Sequence, residues 1–267
     1  MMIDATTTLA VTFHQPDERL VSMIRAHLPG LAARYTALVA RCSARTHAAI
    51  LDLLRQHGAT VYVGDDKPEG LHNIGAIRRE TLRTALETGP THLHLCDFDR
   101  AIHWQASYPQ ELDEVISDIG SHDLLVLGRT GRAWATHPPY QAETEPLFNR
   151  VFHLVTGLPW DVGAGARGFS RRAAQTVLQH SQEETVGTDA EWPLILLRQE
   201  GYRSGFRACE GLEFETADRY GPEIEAAGSY KVWEALMSSD PQRWVFRMEL
   251  ALRIAEAALR YGGEGSI

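Results

Sequence analysis

The residues best placed to do chemistry are two aspartates one position apart, Asp97 and Asp99, in the stretch THLHLCDFDR over 91–100. They follow the apolar run Leu93–Cys96. In extended backbone, side chains at i and i+2 point the same way. Two carboxylates so placed can hold one hard cation, and oxygen ligands suit Mg2+ or Mn2+, whose shell is commonly completed by substrate phosphates. The competing reading is a strand-end turn with two solvated aspartates. An arginine at a helix opening, Arg78 in Gly75-x-x-Arg78, is a candidate for phosphate oxygens. Arg129 and Arg132, flanking Gly131 after an apolar run, are further anion candidates, with solvated loop arginines as the alternative.

Composition narrows the chemistry. The chain has 267 residues, 44% hydrophobic and 23% charged, with formal net charge -9. That length fits one large α/β domain or two small ones. The acidic balance argues against nucleic acid as a partner. Three scattered cysteines, Cys42, Cys96 and Cys209, suggest neither a zinc site nor a disulfide framework, and a reducing cytoplasm is expected. No apolar run approaches the ~20 residues needed to span a bilayer, and no signal peptide is evident.

The elements that must position these residues alternate. Strands are expected at Leu9–Phe13, Tyr35–Ala40, Thr60–Val63, His92–Cys96 and Asp123–Gly128. Between them the spacing predicts helices over Asp17–Leu28, Arg45–Gln56 (closed by Gly58), Ile74–Glu87 and Tyr108–Ile119. A polar loop, Gly64–Asn73, carries Asp65, Asp66, Pro68 and Gly70. The long segment Arg129–Thr144 reads as a binding loop. Helices are then expected at Glu145–Thr156, from the cap Ser170 to His180, and at Asp189–Glu200, with one or two strands in Tyr202–Thr216. Strand–helix alternation implies a mainly parallel sheet with helices on both faces, and ligands bind beyond the carboxyl ends of its strands. Pro241–Tyr261 reads as a long helix on the 3.6-residue period, giving a domain over 1–218 and a helical extension over 219–267 packed on it. A homodimer interface or a membrane-surface contact is the other reading of that helix. Residues 262–267 read as a frayed end.

The order of these features resembles the GT-A nucleotide-sugar glycosyltransferases, closest to family 2 with its polyprenyl-phosphate sugar transferases. Four matches carry it: Gly75-x-x-Arg78; Asp97-Phe98-Asp99, like the family's DxD motif; the strand His122–Arg129; and Asn149–Gly157 followed by Asp161-x-x-x-Gly165 and Gly168-Phe169-Ser170-Arg171. The likeness spans about residues 8 to 216. It implies a Rossmann-like GT-A fold, a nucleotide-diphosphate sugar donor, and a divalent ion held by Asp99 with help from Asp97. Arg78, Asp97, Arg129 and Arg132 become donor-side candidates, and Asp161 and Gly165 acceptor-side ones. His137 is a candidate third metal ligand, as a histidine is in some GT-A enzymes. The resemblance leans toward inverting chemistry, which needs a carboxylate to take the acceptor's proton. Asp189 is the first candidate for that role and Glu191 the second, although Thr188-x-x-Glu191 also reads as a capping box. An acceptor already ionised as a phosphate needs no base, so small-molecule and lipid-phosphate acceptors both fit. The chain departs from the family after the second strand, where Val39–Thr46 lacks the aspartate expected at the base. The alternatives are a non-catalytic GT-A-like sugar-nucleotide-binding protein and a sugar nucleotidyltransferase, the latter without its glycine-rich signature over Leu9–Leu20.

Overall fold

A computed structural model of the chain describes residues 6–64 and 72–263. The expected loop residues Asp65, Asp66, Pro68 and Gly70 lie outside the described residues, as do 264–267. Seven strands form one sheet: β1 (Thr7–Phe13), β2 (Ala37–Cys42), β3 (Thr60–Val63), β4 (His92–Asp97), β5 (Leu124–Arg129), β6 (Ala166–Ser170) and β7 (Ser204–Cys209), in spatial order β3-β2-β1-β4-β6-β5-β7. All adjacent pairs are parallel except those of β6, which runs antiparallel to both β4 and β5. This is the α/β, mainly parallel plan with helices on both faces expected of the chain, with one strand reversed.

Alternation along the buried strands feeds two cores. On one face Leu9, Val11 and Phe13 meet α1 (Val21–Ala32), α2 (Ala48–Gln56), α4 (Phe98–Ser107) and α5 (Pro109–Ile119). On the other, Ala10, Leu93 and Leu95 meet α3 (Ile74–Glu87), α8 (Glu145–Thr156), α9 (Arg171–His180), α10 (Thr188–Leu197) and α13 (Pro241–Gly262). Side chains alternate across a strand, so both faces can be apolar when helices cover both. The C-terminal helix α13 buries Ala251, Ile254, Ala257 and Ala258 against α8 and α10. Its outer face leaves Val245, Met248, Leu252 and Leu259 exposed. Among the described residues no helix is long and apolar enough to cross a membrane.

Several boundaries differ from expectation for local reasons. Helix α1 begins at Val21 rather than Asp17, because the Asp17 carboxylate accepts the Arg19 N–H (3.1 Å) in a turn after Pro16. The segment 129–144 is not an open loop. It holds two one-turn helices, α6 (Gly131–Trp134), capped by the Thr130 hydroxyl, and α7 (Pro139–Ala142). After β7 the chain makes two 3-10 turns, Glu210–Leu212 and Glu215–Tyr220, and then the short helices α11 (Gly221–Ala226) and α12 (Tyr230–Ser238).

Candidate functional site

The carboxyl ends of β1, β2 and β4 and the opening of α3 enclose a cavity of about 600 Å3. Thr12, Phe13 and His14 line it from β1, Arg41 and Ser43 from β2, Ile77, Glu80 and Arg83 from α3, and Asp97 and Asp99 from β4 and α4; Arg78 does not. It therefore sits at the edge where open parallel sheets bind ligands.

Asp97 ends β4, and Phe98 already begins α4. The two aspartates are thus not neighbours on one extended strand, as the sequence reading supposed. Phe98 turns into the core, fully buried and edge-on to Phe13 with ring centroids 5.0 Å apart. The first turn of α4 then carries Asp99 back over the strand end, so both carboxylates still face one cavity. Asp97 is steadied by its register neighbour on β1, whose Thr12 hydroxyl donates to Asp97 Oδ1 (2.8 Å). Asp99 Oδ1 accepts the Arg100 N–H (3.1 Å), and Oδ2 meets the guanidinium of Arg219. Burial pushes the Asp99 carboxyl up to about 6 against the pull of Arg219, with Glu215 and Asp97 adding like-charge repulsion.

Behind the carboxylates lies a buried arginine cluster. Arg78 Nη1 donates to Asp189 Oδ1 (2.7 Å) and to the Thr188 hydroxyl (3.0 Å). Arg167, fully buried on β6, donates to the same Asp189 oxygen (2.6 Å) and to the Asp189 carbonyl (3.1 Å). Gly165, at φ +68°, lets this cluster approach the site: a Cβ there would stand 3.2 Å from Arg78 Nη2 and 3.9 Å from Asp97 Oδ2. Gly75 has a packing reason of its own, since a Cβ would come within 2.1 Å of the Glu183 carbonyl oxygen.

Other sequence candidates land elsewhere. The Asp189 carboxylate is buried, with its Oδ1 held between two guanidiniums, and it does not line the cavity. Glu191 does not close a capping box. Its carboxylate accepts the Ser181 hydroxyl (2.6 Å) and the N–H groups of Gln182 (2.7 Å) and Glu183 (3.0 Å), because that incoming turn also needs acceptors. Arg129 is a buried structural cation, forked onto Asp161 (2.7 and 2.8 Å), paired with Glu145 (2.7 Å) and stacked on Trp134. Asp161 is spent on Arg129 and on Asn149 (2.9 Å). Burial would raise its pKa, but the Arg129 charge outweighs that and holds it down at about 2. Arg132 pairs with Glu210 and Glu213 (2.7 Å for the latter) and is half exposed. His137 shares Nδ1 with the Ala133 carbonyl (3.0 Å) and stacks on Trp134. Burial, aided by Arg129, pushes it down to about 4, and it does not line the cavity. Among the described residues no three His, Cys, Asp or Glu side chains gather as a metal cage.

Sequence reasoning missed Arg100, Arg167, Glu215 and Arg219. Arg100 bonds Glu215 at 3.0 Å, and the two lie beside Asp97 and Asp99. Arg41 lines the cavity at the end of β2, and its Nε bonds Glu80 at 3.1 Å. Nothing in local periodicity marks these residues, since their charged partners are 22 to 120 positions away.

No protein-family model matches the chain, and no curated protein matches it in sequence. Solved structures do resemble it. The crystal structure of a mycobacterial protein aligns with TM-score 0.51 at 13% identity, over 85% of this chain and 76% of that one. Rv0371c from Mycobacterium tuberculosis H37Rv aligns with TM-score 0.45 at 16% identity, over 84% of this chain and 100% of that one. Glucosyl-3-phosphoglycerate synthase from Mycobacterium tuberculosis, crystallised with Mn2+, UDP-glucose and phosphoglyceric acid, aligns with TM-score 0.49 at 13% identity, over 76% and 69%. At such identity the likeness to the first of these is one of fold alone.

Proposed function

We propose that the chain is a divalent-cation-dependent glycosyltransferase that moves a sugar from a nucleoside diphosphate sugar to a phosphate-bearing acceptor. The observation that carries this reading is the pair Asp97 and Asp99 on one wall of a cavity at the carboxyl edge of a parallel sheet. The motif order that resembles the family 2 transferases supports it. Two carboxylates suit Mg2+ or Mn2+, because such ions are usually bound by one or two carboxylates together with substrate phosphates. Asp99 and Asp97 would hold the ion. When bound, it offsets charge on the leaving diphosphate.

The chain's own residues supply the rest. Thr12 fixes the rotamer of Asp97. Asp189 holds Arg78 and Arg167 behind the carboxylates, so their positive field reaches the cavity without exposing them to water. Asp189 and Glu191, the sequence candidates for a base, are both committed to structural partners. An acceptor whose oxygen is already ionised needs no base, which favours a phosphate, small or lipid-borne. The free thiols of Cys42, Cys96 and Cys209, all buried, fit a cytoplasmic protein.

The test is product formation from radiolabelled UDP- and GDP-sugars offered with a phosphate-bearing acceptor, with and without Mn2+. Cation-dependent transfer or donor hydrolysis is expected. Cation-dependent binding with no turnover on any donor would point to the second reading, a sugar-nucleotide-binding protein, which the engagement of Asp189 and Glu191 favours.

A further inference from the structure

The segment Glu215–Tyr220 is fastened along α4 by charge. Arg219 meets Asp99, Glu215 meets Arg100 at 3.0 Å, and Asp218 meets His103 at 2.7 Å. The first two turns of α4 thus each find a partner in one short 3-10 turn more than a hundred residues downstream. Only the Arg219 end reaches the cavity: Asp99 and Arg219 both line it, whereas Glu215 and Asp218 do not. Arg219 Nη2 is on Asp99, while its Nε is buried with no hydrogen-bond partner. Asp99 is a half-buried carboxylate in contact with the cavity and crowded by Glu215 and Asp97, so it needs a cation, and the cation it has is a guanidinium.

From this contact, and resting on the function proposed above, we infer that Arg219 stands in for the divalent ion at Asp99 and becomes a diphosphate ligand when donor and ion enter together. A guanidinium and a divalent ion cannot share one carboxylate closely without repulsion in a low-dielectric site. The diphosphate brings more negative charge than one ion offsets, and a guanidinium matches phosphate oxygens in a fork. The Glu215–Arg100 and Asp218–His103 pairs keep the segment in place, so the exchange needs only the Arg219 side chain to swing. Tyr220 follows Arg219 directly and packs on Trp233, with ring centroids 5.4 Å apart, which gives the exchange an optical reporter.

The inference predicts opposite changes in two affinities. Mn2+ binding without nucleotide is measured by electron paramagnetic resonance. Binding of UDP and GDP in the presence of Mn2+ is measured by calorimetry, with tryptophan fluorescence recorded alongside. In Arg219→Gln, Mn2+ alone binds several-fold tighter, because its competitor is gone. Nucleotide with Mn2+ binds about tenfold weaker, the worth of one charge-assisted pair. Arg219→Lys, which keeps the charge and loses the fork, falls between. Circular dichroism establishes that both variants fold, and the lysine variant carries the test alone if the glutamine variant does not. Wild-type binding of Mn2+ with nucleotide, but unchanged or jointly weakened affinities in both variants, overturns the role of Arg219 and leaves the proposed function standing. Wild-type protein that binds neither Mn2+ nor nucleotide overturns the proposed function, and this inference with it.

Discussion

Arg78 reaches across 111 residues of chain to Asp189, at 2.7 Å, and Arg167 meets the same carboxylate oxygen at 2.6 Å. One carboxylate thus anchors two buried guanidiniums. Removing it leaves two uncompensated cations, a far larger penalty than losing a solvated pair. Asp189→Asn is expected to destabilise the fold by about 3–5 kcal/mol, measured by urea denaturation. A variant with native stability and no transfer activity would instead restore Asp189 as the base.

Asp99 and Cys96 make a paired test of the site. Asp99→Asn is expected to abolish the Mn2+-dependent part of nucleotide binding. Cys96→Ala, a change in the buried strand just behind, leaves that part intact and costs about 1 kcal/mol of stability for one lost buried group. Equal affinities for nucleotide in Asp99→Asn and wild type, with and without Mn2+, would remove the ion from this carboxylate.

Gly75 tests why the first turn of α3 carries a glycine. Its N–H donates to the Glu184 carbonyl (2.8 Å), and a methyl group would meet the Glu183 carbonyl head on. Gly75→Ala is expected to cost about 1–3 kcal/mol through overpacking, despite alanine's better helix propensity. A melting temperature equal to or above wild type would refute that packing account.

Stability should also depend on pH through His94. Burial pushes its imidazole down to about 3, and its Nδ1 shares a 2.8 Å hydrogen bond with the Tyr35 hydroxyl. Unfolded, the ring takes a proton near pH 6.5; folded, it does not until about pH 3. The stability it contributes is therefore full above pH 6.5 and is lost as pH falls toward 3, on the order of 1.4 kcal/mol per pH unit. Asp99 acts in the opposite sense: its raised pKa contributes stability at low pH that is lost as pH rises through about 6. Denaturation midpoints from pH 7.5 to 4 are expected to fall less steeply in His94→Gln than in wild type. Parallel slopes would show that His94 does not refuse its proton.

The outer face of α13 carries Val245, Met248 and Leu252 at helical spacing, each more than half exposed. A homodimer through this helix is expected to appear in sedimentation equilibrium at micromolar concentration and to vanish in Met248→Glu/Leu252→Glu. A monomer at every concentration would end that reading.

The parts of the molecule legible in the sequence are those set by neighbours along the chain. Helices α3 and α8 begin and end where apolar spacing places them, Gly58 closes α2 at φ +78°, and the Ser170 hydroxyl caps α9 through the Ala173 N–H. Strand β6 was not legible, because Gly163, Gly165 and Gly168 mask its alternation and its reversed direction is decided by partners far away. The site divides the same way. Asp97 and Asp99 line one cavity, as the sequence led one to expect, because the strand that delivers them is local. Asp161, Arg129 and Glu191 meet buried partners instead of the cavity, because a charged residue looks the same in sequence whether it faces a ligand or a buried counter-ion. The capping motif at Thr188 lost to backbone N–H groups of residues 182 and 183, whose need for an acceptor no local pattern reveals.

The reversed strand has a consequence for how the molecule is made. β4 never touches β5; the two halves of the sheet are joined only through β6. During synthesis the first four strands are complete once residue 97 has emerged, yet the β4 edge stays open until residue 170 follows. For those seventy-odd residues the nascent chain presents an apolar strand with unpaired backbone, the kind of edge that invites pairing with another copy. Gly165 and Arg167, which back the carboxylates of the cavity, arrive with that closing strand, but the cavity itself waits for Glu184 and Arg219, so the aggregation hazard is removed before the crevice is complete.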